Sequence, residues 1–131
     1  MTSDETLRFG LDRIGQIAVN AREMARATDF YRDTLGMKLL FEAPNMAFFD
    51  CGGIRLMLGI ASSPEFDHPS SIIYFWAQDI QGAYNVLSSR GVRFEAGPHL
   101  VARRDQLEIW MAFFRDSEDN LLAIMSEIIP G

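Results

Sequence analysis

Two stretches of the chain repeat one another, and that repeat restricts the fold more than any single motif. Gln16-Ile-Ala-Val-Asn20 leads into a helix-like segment that stops at Gly36-Met-Lys-Leu-Leu-Phe-Glu42, and Ile72-Ile-Tyr-Phe-Trp76 leads into another that stops at Gly91-Val-Arg-Phe-Glu95. Each copy then reaches nearly the same phrase, Met46-Ala-Phe-Phe-Asp50 and Met111-Ala-Phe-Phe-Arg-Asp116, and closes on an apolar strand, Ile54–Leu58 and Leu121–Met125. A repeated unit of this size cannot bury its own apolar face alone. The two copies are therefore expected to pack around shared space, and a site is to be sought there.

One domain of two modules follows, spanning 1–131: module one about 11–60, a linker 61–69 and module two about 70–128. A chain of 131 residues with 48% apolar content can bury a sizeable core. Met1–Gly10 has no continuous apolar run, and nowhere do the roughly 18 consecutive apolar residues of a membrane span occur. The single cysteine, Cys51, cannot close an internal disulfide, which fits a reducing, cytoplasmic setting. It lies between two Phe and two Gly at a strand turn, which suits a small buried residue better than a nucleophile. The net charge of −6, spread rather than blocked, excludes nucleic acid as an expected partner; Arg103-Arg104 is the only adjacent basic pair.

The modules follow one grammar. A strand around Ile14–Val19 sets Gln16 and Ala18 on one face and Ile17 and Val19 on the other. Asn20 with Glu23 three residues later reads as a capping box, Met24, Ala27, Tyr31 and Leu35 form a helical stripe, and Gly36 suits the left-handed stop, so a helix is predicted over about 21–35. Strands are predicted at about 37–42, 46–50 and 54–59, separated by Pro44-Asn45 and Gly52-Gly53. In the second copy Asp79 is the cap and Gly91 the stop, with strands at about 92–95, 107–114 and 121–126 and a longer loop at 96–106.

Ile14-Gly-Gln-Ile-Ala-Val, Asp29-Phe-Tyr-Arg-Asp-Thr-Leu-Gly-Met37, Gly53-Ile-Arg-Leu-Met-Leu58 and Phe114-Arg-Asp-Ser-Glu-Asp-Asn-Leu-Leu122 resemble the vicinal oxygen chelate superfamily. That group includes glyoxalases, extradiol dioxygenases and bleomycin-resistance proteins. The resemblance covers about 14–127 and implies an α+β fold: two tandem β-α-β-β-β modules forming a cupped mixed sheet around a cavity, with helices outside. It also implies a homodimer. Metal-dependent members place ligands at four points, and these fall by motif on Gln16, Met57, Ile72 and Ala123. Two are aliphatic and one is a thioether, so the hard or borderline donors that a catalytic divalent ion requires are missing, and neither metal nor cofactor is expected. The turn before the last strand carries Asp119 where the family has Gly, a residue that still tolerates a left-handed backbone.

Strand alternation then supplies the inward set: Gln16, Ala18, Arg55 and Met57 from one module, and Ile72, Tyr74, Trp76, Leu121, Ala123 and Met125 from the other. An apolar cup with a few polar handles suits a small organic ligand. An inward Arg55 calls for an anion or a carboxylate, which Glu108 supplies if its strand face is inward. One reading is metal-free binding of a planar or aromatic molecule, with Trp110 joining Tyr74 and Trp76. An alternative is a metal-independent lyase or isomerase using His99, Arg55 or Tyr74 for acid-base or electrostatic work. A third is a structural domain whose cup is filled by its own side chains. His68, in the linker, is expected to face solvent.

Overall fold

The alternation of β1 (Gln16–Asn20) marks one edge of the first sheet, from which the chain enters α1 (Met24–Asp29) and a π-helical turn (Phe30–Thr34). It then forms β2 (Lys38–Ala43), β3 (Met46–Cys51) and β4 (Ile54–Gly59). After a 3₁₀ turn (Pro64–Phe66), the second module repeats the order as β5 (Ile73–Trp76), α2 (Ile80–Ser89), β6 (His99–Arg104), β7 (Leu107–Arg115) and β8 (Leu121–Ile128). This is a computed structural model describing residues 9–130; most of the Met1–Gly10 segment discussed above lies outside it. Each module builds its own four-stranded mixed sheet, ordered β1-β4-β3-β2 and β5-β8-β7-β6, so the chain is α+β with two β-α-β-β-β modules. First and last strands pair parallel in both sheets. A helical crossover is what permits that pairing.

Local signals account for most boundaries. Gly36 and Gly91 stop the helices at φ 78° and 91°, and Asn45, Gly52 and Gly53 carry the positive φ of the tight hairpins. Asp119 takes φ 67°, as its turn requires. Asp79 caps α2 by accepting from the Gly82 N–H at 3.1 Å. The first helix is shorter than the stripe suggests. Glu23 is its cap, accepting from Ala25 and Arg26 N–H, while the Asn20 side chain donates instead to the His68 carbonyl at 2.6 Å.

The second module differs from its sequence reading in one strand. Residues 92–95 make only an isolated bridge, Phe94 to Phe114, and the module's second strand is β6, inside the segment expected to be a loop. Pro98 breaks the chain just before β6 begins and leaves the strand itself free to pair.

Both modules feed one core. Val19, Tyr31, Phe49, Leu56 and Leu58 from the first cluster with Ile80, Val92, Phe114, Leu122 and Ile124 from the second. All of the strand residues among them come from the faces that carry the helices. The modules are also tied by polar contacts: the Tyr31 hydroxyl donates to Asp116 at 2.6 Å, and Glu118 accepts from the N–H groups of Arg22 and Glu23 at 2.7 and 2.9 Å. The last turn of module two thus satisfies the two backbone donors just ahead of α1, while Glu23 takes those of its first turn. Burial alone would raise the Glu118 carboxyl, but Arg26, the Glu23 and Arg22 N–H groups and Ser117 outweigh it and hold the group at about 2.

Candidate functional site

Cross-strand partners share a face, so the ladders state which residues stand together. On the first sheet Gln16 pairs with Arg55 and Ala18 with Met57, while Phe48 pairs with both Met57 and Phe41. On the second, Tyr74, Ala123 and Phe113 form one row, and Trp76, Met125, Met111 and His99 form the next. These are the faces opposite the helices. Phe48 and Ala123 are buried, yet neither belongs to the core cluster, because their neighbours lie on this other side.

The two faces are not turned toward each other. The helix-bearing faces meet in the shared core, and the opposite faces are left open: Trp76 is 61% exposed, Tyr74 43% and Ile72 39%. Large aromatics in that state cover a surface that water ordinarily drives inward. The shared space expected between the copies is, within a single chain, occupied by the core.

The first face has the polar handles. Arg55 Nε donates to Gln16 Oε1 at 2.8 Å, and the guanidinium carbon lies 5.5 Å from the centroid of the Phe48 ring. Gln16 Nε2 points to the Met57 sulfur at 3.8 Å. Phe48 stacks on Phe41, with centroids 4.4 Å apart. A cavity of about 670 Å³ opens where the linker bends over one end of this face, lined by Ala18, Met46, Met57, Phe66, His68 and Ser70 among others. His68 is exposed and its Nδ1 lies 3.0 Å from the Pro69 carbonyl.

The second face is aromatic and thioether-rich. Tyr74 meets Phe113 edge to face, centroids 5.9 Å apart. His99 stands at the far edge, its Nδ1 3.1 Å from the Gly97 carbonyl, which leaves Nε2 facing outward from that contact.

Two expectations are corrected here. Trp110 pairs with Ser126 and Leu100, on the helix-bearing side, where it packs against the core and its indole N–H donates to Glu108 at 3.3 Å. It therefore does not join Tyr74 and Trp76. Glu108 lies on that same side and pairs with Arg103 at 3.3 Å, so it is not the partner of Arg55. Sequence reasoning passed over Phe41, Phe48, Met111 and Phe113, which belong to the open faces; the repeat of Met-Ala-Phe-Phe was the signal that contained three of them.

The residues at the four family ligand points do not suit a divalent ion. The Gln16 amide oxygen is engaged by Arg55, Met57 offers a thioether, and Ile72 and Ala123 offer no donor. Among the described residues, no group of three or more His, Cys, Asp and Glu is gathered as a metal site. Cys51 is half-buried at the end of β3, with its thiol pushed up by burial and then by Asp50, which opposes a nucleophilic role.

Residues 13–124 match the profile of the Glyoxalase/Bleomycin resistance protein/Dioxygenase superfamily, and the chain belongs to that family. It is 27% identical over 123 residues to the uncharacterized protein YraH of Bacillus subtilis (strain 168), covering 83% of this chain and 94% of that one. Similar solved structures include a glyoxalase/bleomycin resistance protein/dioxygenase from Nocardioides, with TM-score 0.75 and 18% identity, covering 98% of this chain and 91% of that one. A lactoylglutathione lyase from Agrobacterium tumefaciens is similar with TM-score 0.72 and 19% identity, covering 89% and 95% respectively. At such identities the likeness speaks to the fold. No helix among the described residues is long and apolar enough to cross a membrane.

Proposed function

We propose that the protein binds a small planar or aromatic molecule without a metal ion, in a cavity made when the first sheet's open face of one copy covers the second sheet's open face of another. The observation that carries this reading is the exposure of Trp76, Tyr74 and Ile72 on a face that none of the described residues of the same chain covers. A homodimer with two-fold symmetry repeats the contact twice and hides both faces of both chains. The Gln16–Arg55 pair then faces an aromatic wall, which is the mix of apolar lining and few polar groups that organic ligands use.

A metal-independent lyase or isomerase is the second reading, favoured by one placement: His99 stands in the same cross-strand row of the open face as Trp76, at its far edge. Native mass spectrometry of freshly purified protein, followed by incubation of any captured molecule with fresh protein, tests both. An unchanged captured molecule supports the binder, a converted one supports the enzyme, and no capture of any planar compound from a broad library counts against the cavity.

A further inference from the structure

We infer that the molecule held on the first face carries a carboxylate and that Arg55 is the group that reads it. This rests on the small-molecule reading above and names the ligand class. Arg55 is exposed in a polar row, Gln16–Arg55–Asp50–Lys38, that borders the apolar Met57, Phe48 and Phe41, and among the described residues no carboxylate lies within ion-pair distance of it. The nearest candidate across the ladder, Asp50, turns one carboxylate oxygen to the Gly53 N–H at 3.1 Å. The guanidinium is nonetheless not loose. Its Nε is fixed by the Gln16 oxygen at 2.8 Å, its carbon lies 5.5 Å from the Phe48 centroid, and Gln16 is itself turned by its Nε2 contact with the Met57 sulfur.

A guanidinium presents five N–H donors in a planar fork. With Nε engaged, the two terminal nitrogens remain to meet both oxygens of one carboxylate, the two-point geometry for which arginine is suited and lysine is not. Phe48 and Phe41, stacked beside it, offer an apolar platform for a ring attached to that carboxylate. Gln16 is a positioning residue: it touches Arg55, and its part is to fix the fork in one orientation before a ligand arrives.

The test compares 2-naphthoate with 2-naphthamide, two probes of one shape that differ in charge, by isothermal titration of the full chain. Naphthoate is expected to bind at least roughly tenfold more tightly, as charge-assisted hydrogen bonds imply. Arg55→Gln should erase that preference, weakening naphthoate far more than naphthamide, whose carbonyl loses only a neutral acceptor's hydrogen bond. Arg55→Lys should restore only part of it. Gln16→Leu should reduce the preference, weakening naphthoate more than naphthamide. Because Arg55 and Gln16 are exposed, the thermal unfolding midpoint serves as a folding control for each variant. Equal binding of acid and amide by the wild type would overturn the carboxylate inference and leave the small-molecule reading standing. Retention of the preference in Arg55→Gln would overturn the role given to Arg55. Binding of neither probe would overturn both.

Discussion

Arg26 and Glu118 lie 92 residues apart and meet in a two-point ion pair, Nε to Oε2 at 2.7 Å and Nη2 to Oε1 at 3.1 Å. The same carboxylate accepts two backbone N–H groups just ahead of α1, so it joins the modules and fixes the chain's entry into the helix at once. Glu118→Ala leaves those part-buried donors without their acceptor and removes the partner of Arg26, and should destabilise the fold by roughly 1–3 kcal/mol. Urea unfolding measures it, and an unchanged midpoint would show that water replaces the carboxylate without loss.

The acid limb of stability follows from the same group. Its folded-state value of about 2 lies below the ordinary carboxylate value of 4.5, so the stabilisation is complete above the unfolded value and drains away as pH falls toward 2. Glu118→Gln should flatten the stability profile between about pH 4.5 and 2 relative to wild type. Parallel profiles would assign the acid sensitivity to other carboxylates.

What the sequence made legible was the grammar of each module. Gly36, Gly91, Asp79 and Gly52-Gly53 are local devices whose chemistry requires one backbone state, and each is found in it. Less legible was β6, because His99–Arg104 is an edge strand with mostly exposed side chains and hence a weak apolar rhythm. Trp110 was misplaced for a related reason. Its strand is apolar on both faces, with Ile109, Met111 and Phe113 on one and Trp110, Ala112 and Phe114 on the other, so alternation gave no sense of direction. How two modules face one another is carried by no local signal at all.

The two tryptophans should therefore behave differently. A planar ligand should quench the emission of Trp76 and spare that of Trp110, which packs on the opposite side of its sheet. Trp110→Phe should keep the quenching and Trp76→Leu should lose it, with weaker binding. Quenching that survives Trp76→Leu would move the site elsewhere.

As isolated, the protein should carry no stoichiometric divalent ion in elemental analysis. The combined change Gln16→His, Met57→Glu, Ile72→His and Ala123→Glu should create a site if the two open faces meet across a dimer, and none in a monomeric form. Ala123→Glu alone, at 0% exposure, should cost about 1–3 kcal/mol, and Ile72→His less, because only a partner copy would cover that side chain. Stoichiometric metal in the wild type would refute this account of the four positions.

Light scattering should show a dimer across micromolar concentrations. Trp76→Glu, which places a charge on the open face of the second sheet, should shift it toward monomer without lowering the helical signal in circular dichroism. A monomeric wild type would leave the exposed aromatics without the cover proposed for them.

The open faces of one chain look away from a common core, and this has a genetic consequence if two copies complete each cavity. A chain disabled by Arg55→Gln and a chain disabled by Trp76→Leu are each inactive alone, since every cavity of either homodimer contains a defect. In the mixed dimer both defects fall in one cavity, and the other is assembled from the sound half of each chain. Co-expression should then rescue one site of the two in each mixed dimer, about a quarter of all sites if equal amounts of the two chains pair at random, so alleles of this gene would sort into two complementing groups divided at the linker.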